Sequence, residues 1–139
     1  MKVWVSVFLT IILLFGLAAC TNTETREQRF ADTEKKAGGR DVSALYSLGL
    51  MYEQGYGVAQ DKCQAALCYR KAAEKGQVQA QYRLGYLYYH GQGVPRNLQQ
   101  AVKWYRKAAE QGDTGAQAAL GKIHSLGEGV HKDSSVAGY

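Results

Sequence analysis

The sequence predicts an all-α fold, a right-handed solenoid of helix hairpins with a period of 36 residues. Three observations support this. Glycines recur in register: Gly49, Gly85 and Gly121 are spaced by 36, as are Gly55, Gly91 and Gly127, and Gly57, Gly93 and Gly129. Apolar columns keep the same step, with Ala44, Ala80 and Ala116, then Leu48, Leu84 and Leu120, then Val58, Val94 and Val130. The composition of the 139 residues, 46% hydrophobic and 21% charged with 16 Gly and one Pro, suits one helix-rich domain and excludes a disordered chain or a multi-span membrane protein. A fixed period of this length marks stacked repeats, each unit burying its apolar face against its neighbours.

The first element is an address. Residues 1–19 contain Lys2, an apolar run from Val3 to Leu17 and two alanines, the pattern of a secretory signal. Its end, Leu17-Ala18-Ala19-Cys20, resembles a bacterial lipobox. That resemblance implies diacylglycerol on the Cys20 thiol, cleavage before it, and a membrane-anchored chain in the cell envelope. Thr21, in the place where Asp retains such proteins at the inner membrane, directs it by the same resemblance to the periplasmic face of the outer membrane. Residues 20–40 are polar without clear apolar periodicity and read as a tether whose middle holds a frayed helix. The formal net charge is +5, or +4 once Lys2 is removed with the signal. With no cluster of cations and interleaved aromatics, that excess favours solubility rather than nucleic-acid binding.

Repeat one spans 41–76, repeat two 77–112, and a truncated repeat three 113–139. Within repeat one, Ala44, Leu48, Met51 and Tyr52 share one helical face that stops at Gly55. The turn Gly55-Tyr56-Gly57-Val58 follows, and Asp61 then opens a second helix as its N-cap, with Gln64 three residues on. Asn97 and Gln100 repeat that spacing. The second helix ends near Glu74, before Gly76. Gly49, Gly85 and Gly121 fall inside first helices, where Gly costs about 1 kcal/mol relative to Ala, which implies a close helix approach at that column. Repeat three offers only a capping helix and a frayed tail from Ser134 to Tyr139, so stability is expected to be marginal.

Taken together, Ala80, Leu84, Gly85, Tyr88, Gly91, Gly93, Val94, Asn97, Ala101, Trp104, Tyr105, Lys107, Ala108, Ala109 and Gly112 resemble the Sel-one-like repeat, a branch of the tetratricopeptide-like solenoids. The resemblance covers about residues 41–139; Cys68 departs from it where Trp104 stands, and His124 departs in the Tyr88 column. It implies that first helices line a concave groove in which protein or peptide segments dock.

On the first helix of repeat two, Tyr82, Tyr86 and Tyr89 lie opposite the core stripe of Ala80, Leu84, Leu87 and Tyr88. Tyr46 holds the equivalent of Tyr82 in repeat one, and Gln81 and Arg83 flank the patch. Tyrosine offers a large apolar face and a hydroxyl at low entropic cost. We therefore expect Tyr46, Tyr82, Arg83, Tyr86 and Tyr89 to bind a partner. On second helices, Arg70 with Glu74 and Arg106 with Glu110 have i,i+4 spacing and predict a solvated convex face of ion pairs.

Catalytic and metal chemistry find little support. His90, His124 and His131 occupy different repeat columns, Cys63 and Cys68 are five apart on one helix, and no serine is followed three residues later by lysine. Such a cysteine pair is too far apart in a regular helix to bridge. The expected protein is a non-catalytic adaptor that uses no cofactor, metal or nucleic acid and binds a protein or peptide partner in the periplasm. A cell-wall or β-lactam-related activity is the alternative reading.

Overall fold

A computed structural model describes residues 26–127. The signal, Cys20 and the tail from residue 128 lie outside them. Six helices and no strand occur among the described residues: α1 over 26–38, α2 Val42–Gln54, α3 Lys62–Glu74, α4 Val78–His90, α5 Leu98–Glu110 and α6 Thr114–Ser125. The solenoid predicted from the period is the observed fold. None of these helices is long and apolar enough to cross a membrane.

Local chemistry sets each boundary. Asp41 accepts hydrogen bonds from Ser43 N and Ala44 N at 3.0 and 3.3 Å, Asp61 from Cys63 N and Gln64 N at 3.0 and 3.1 Å, and Asn97 from Gln100 N at 3.1 Å. Gln77 and Asp113 cap α4 and α6 in the same way. First helices stop at Gly55 and Gly91, whose φ values of 69° and 64° are left-handed and close the last turn. The turn then returns the chain, with Asp61 N donating to Tyr52 O at 2.9 Å and Asn97 N to Tyr88 O at 2.9 Å.

The interior is a ladder of repeat columns. Ala44, Ala80 and Ala116 are buried, as are Leu48 and Leu84, Ala65 and Ala101, Tyr69 and Tyr105, and Ala72 and Ala108. A side chain as fully enclosed as Leu84 contributes roughly 1.5–3 kcal/mol. The close approach expected at the helix glycines is present twice: a Cβ on Gly49 would stand 2.5 Å from Tyr69 Cε1, and one on Gly85 would stand 2.9 Å from Tyr105 Cδ1. A Cβ on Gly121 would meet nothing within 4 Å among the described residues.

Two expectations need correction. Residues 26–38, read as part of a polar tether with a frayed helix in its middle, form a helix that is not frayed but packs on repeat one: Phe30 meets Tyr52 edge to face at 5.4 Å, Ala37 is buried, and Arg29 donates to the Tyr56 hydroxyl at 3.2 Å. Positions 26–38 lie one repeat step before α3 and α5, so α1 takes the place of a second helix against repeat one, with a largely polar outer face. The expected i,i+4 ion pairs do not form either. Arg70 instead donates to the Tyr88 hydroxyl and lies over that ring, and Arg83 with Glu53 is the one ion pair among the described residues.

Candidate functional site

The Glu53–Arg83 pair links α2 to α4 and a cleft joins α4 to α6, so the first helices form one layer and the second helices α1, α3 and α5 the other. In the solenoid arrangement that the repeat resembles, these layers are inner and outer respectively. Two inner steps exist, α2 to α4 and α4 to α6, and they are filled differently.

The first step is closed by polar contacts. Glu53 of α2 accepts a hydrogen bond from the Tyr69 hydroxyl and pairs with Arg83 of α4 at 3.6 Å. Burial, and then the hydrogen bond to Glu53, push the Tyr69 hydroxyl well above its ordinary range. Burial alone would lower the Arg83 guanidinium, but the Glu53 carboxylate and then the Tyr46 hydroxyl outweigh it, so its pKa is raised. Tyr46 itself leans on Tyr69, ring centroids 5.8 Å apart. Thus Glu53 and Arg83 form a bridge that spans this step, with Tyr46 packed on Tyr69 beside it.

The second step is open. One repeat on from Arg83 stands Ala119, and one repeat on from Glu53 stands Tyr89, so the bridging pair is missing. A cleft of about 340 Å³ occupies the space. Tyr82, Tyr86 and Tyr89 line it from α4, Tyr105 from α5, and Gly115, Ala118, Ala119 and Lys122 from α6. The small α6 residues make the room: a Cβ on Gly115 would come within 3.2 Å of Tyr82 Cε2. Tyr82, Tyr86 and Tyr89 are half-buried, Tyr105 is buried, and the rings hold one another in place. Tyr82 and Tyr105 stand 5.7 Å apart at 46°, and His90 is flanked by Tyr86 at 4.1 Å and Tyr89 at 4.9 Å. Burial, and then the neighbouring tyrosines led by Tyr82, raise the Tyr105 hydroxyl well above its ordinary range.

Of the five predicted binding residues, the structure brings Tyr82, Tyr86 and Tyr89 together in the cleft and sets Tyr46 and Arg83 one step away. Gln81, expected at the rim, is buried: it donates to Ala73 O at 3.1 Å and accepts from Gln111 at 2.7 Å. Sequence reasoning missed His90, Tyr105 and Lys122. The position of His90, four residues after Tyr86, was the available signal. The cleft offers aromatic faces, hydroxyls and two basic side chains, a surface suited to binding. Among the described residues, no group of three or more His, Cys, Asp or Glu is placed to hold a metal ion. Cys63 is exposed, Cys68 is buried, and neither is bridged.

The Sel1 repeat family model matches residues 42–77, 78–113 and 114–139. Among solved structures, the chain is similar to a protective antigen of uropathogenic Escherichia coli strains displaying an SLR fold, with 43% identity, 68% of this chain and 20% of that one covered, and a TM-score of 0.67. It is also similar to a Sel1 repeat protein from Oxalobacter formigenes, with 38% identity, coverages of 73% and 42%, and a TM-score of 0.69. Cysteine rich protein B (hcpB) of Helicobacter pylori matches at 27% identity with coverages of 80% and 93% and a TM-score of 0.64. The chain thus spans a fifth of the antigen and under half of the Oxalobacter protein. Curated proteins yield no match. The period, the ladder of buried columns and the three matched units agree: the chain belongs to the Sel1 repeat family, whose members are in general protein-interaction scaffolds.

Proposed function

We propose that this protein is a lipid-anchored, non-catalytic scaffold of the bacterial cell envelope, tethered through Cys20 at the periplasmic face of the outer membrane, and that it binds a protein or peptide partner in the α4/α6 cleft. The cleft itself is the supporting observation: four tyrosines, half-buried or buried, face about 340 Å³ of open space where the preceding step is bridged by Glu53 and Arg83. An aromatic-walled cleft of this size takes one or two side chains of a docked segment, while Lys122 and His90 contact its polar atoms.

The test is photocrosslinking in cells from an unnatural residue at position 118, on the α6 wall, against one at position 79, exposed on α4 away from the cleft. A partner captured from 118 and not from 79 supports the reading. Equal capture at both positions, or none from 118, overturns it. Labelling by radioactive palmitate that is lost in Cys20→Ser tests the anchor separately.

A further inference from the structure

We infer that the outer face of the solenoid is a docking surface for anionic phospholipid, which lays the second helices against the membrane and leaves the inner cleft open. The inference rests on the anchoring at Cys20 proposed above.

Charge is segregated between the two layers. The second helices α1, α3 and α5 hold ten Lys and Arg against five Asp and Glu, whereas α2, α4 and α6 hold two cations and one acid. Lys35, Lys71 and Lys107 occupy one repeat column, one per second helix, and all three are exposed, so they form a row across the outer face. The acids that would neutralise this layer make no ion pair with it: the single pair among the described residues is on the inner layer. Leu67, 48% exposed, sits one turn before Lys71 in the middle of the row, an apolar side chain among cations.

The chain length fits. Five residues, 21–25, separate Cys20 from Arg26, the first described residue of α1. At about 3.5 Å per residue they reach roughly 20 Å at most, so an anchored chain holds its outer layer within reach of the headgroups. Each lysine near an anionic surface contributes about 1 kcal/mol, roughly a fivefold gain in the docking constant, and the effect is screened by salt.

Trp104 reports the contact, because it lies in this layer with Lys103 Nζ 5.6 Å and Lys107 Nζ 4.8 Å from its ring. In a Trp4→Phe background it is the sole tryptophan. The full chain, isolated from membranes in that background, is reconstituted in phosphatidylcholine vesicles with and without phosphatidylglycerol, both carrying a nitroxide headgroup lipid. Trp104 is expected to be quenched on the anionic vesicles, with quenching reversed by salt. The Lys35→Gln, Lys71→Gln, Lys107→Gln variant should lose on the order of a hundredfold in docking. Quenching equal on both vesicles, or absent on anionic vesicles while the chain floats with them, overturns the proposal. So does loss of quenching in the variant accompanied by loss of helicity, if Lys71→Gln with Leu67→Ser, at positions exposed on α3, then leaves quenching intact. Flotation in high salt reads the anchor alone: a chain that washes off neutral vesicles refutes anchoring, and salt-sensitive quenching on anionic vesicles then still supports the docking face. Crosslinking of Lys71 to an acidic protein in place of lipid quenching also overturns it.

Discussion

The backbone carbonyl of Arg26 lies in the space that a Cβ on Gly57 would need, and the carbonyl of Lys62 stands in the same relation to Gly93 one period later. The turn of each hairpin therefore rests on the start of the preceding second helix. This relation extends the array back to residue 26 and makes α1 part of the folded unit. It also gives the turn glycines two separate reasons to be glycine, a left-handed φ and a close approach.

Those reasons can be separated. Gly57 has φ of 70° and Gly76 has φ of 90°, but a Cβ on Gly76 would meet nothing within 4 Å. Gly76→Ala should therefore cost only the backbone strain, roughly 1–3 kcal/mol. Gly57→Ala should cost more, because the α1 backbone must also move. Thermal melting of the two variants checks this, and equal losses would mean that α1 does not bear on the turn.

Arg40 occupies the column of Gly76 and Gly112 and is the one non-glycine residue with positive φ among the described residues, at 71°. A side chain is strained there, and glycine is not. Arg40→Gly should raise stability by about 0.5–1 kcal/mol, a few degrees in melting temperature. A fall would show that the arginine side chain makes contacts worth more than the strain.

Stability should also fall in alkali. Tyr69 and Tyr105 are buried with hydroxyls raised above the unfolded value of 10.0. The unfolded chain therefore loses these protons first, so their contribution is fully present below pH 10 and is lost as pH rises above it. Circular dichroism against pH should show helix loss beginning near that value, and Tyr105→Phe should move the loss to higher pH. An unchanged profile in Tyr105→Phe would place the cause elsewhere.

The parts of this fold visible in the sequence are those enforced by repetition. The glycine and alanine columns marked helices, turns and a close helix approach at Gly49 and Gly85, because one physical demand recurs at each step; that the approaching groups are Tyr69 and Tyr105 came from the structure. The packing of α1 on repeat one was hidden because its columns are degraded: Gln28, Lys35 and Ala37 keep the period, but Thr33 replaces the tyrosine and Arg40 replaces the glycine. The cleft was half visible. Helical spacing placed Tyr82, Tyr86 and Tyr89 on one face, but its opening depends on what stands across the step, Ala119 in place of an arginine and Gly115 beside Tyr82. Spacing along one helix says nothing about that. The same gap explains Arg70, whose partner proved to be Tyr88 on the next helix rather than Glu74 on its own.

The cleft can be filled without disturbing the core. Ala118 is exposed on its wall and occupies the column of Tyr46 and Tyr82, a position where this solenoid already accepts tyrosine twice. Ala118→Tyr should place a ring in the cleft by the same geometry that sets Tyr82 beside Tyr105. Since it removes no buried atom, helicity and melting temperature should hold or rise, while capture of the partner should drop by tenfold or more, about 1.4 kcal/mol of binding. Replacing Tyr86 by Ser is the complementary change, since it enlarges the cleft and removes an anchor. If both variants bind as the parent does, the partner docks elsewhere on the solenoid, and the open step between α4 and α6 is a gap in packing rather than a site.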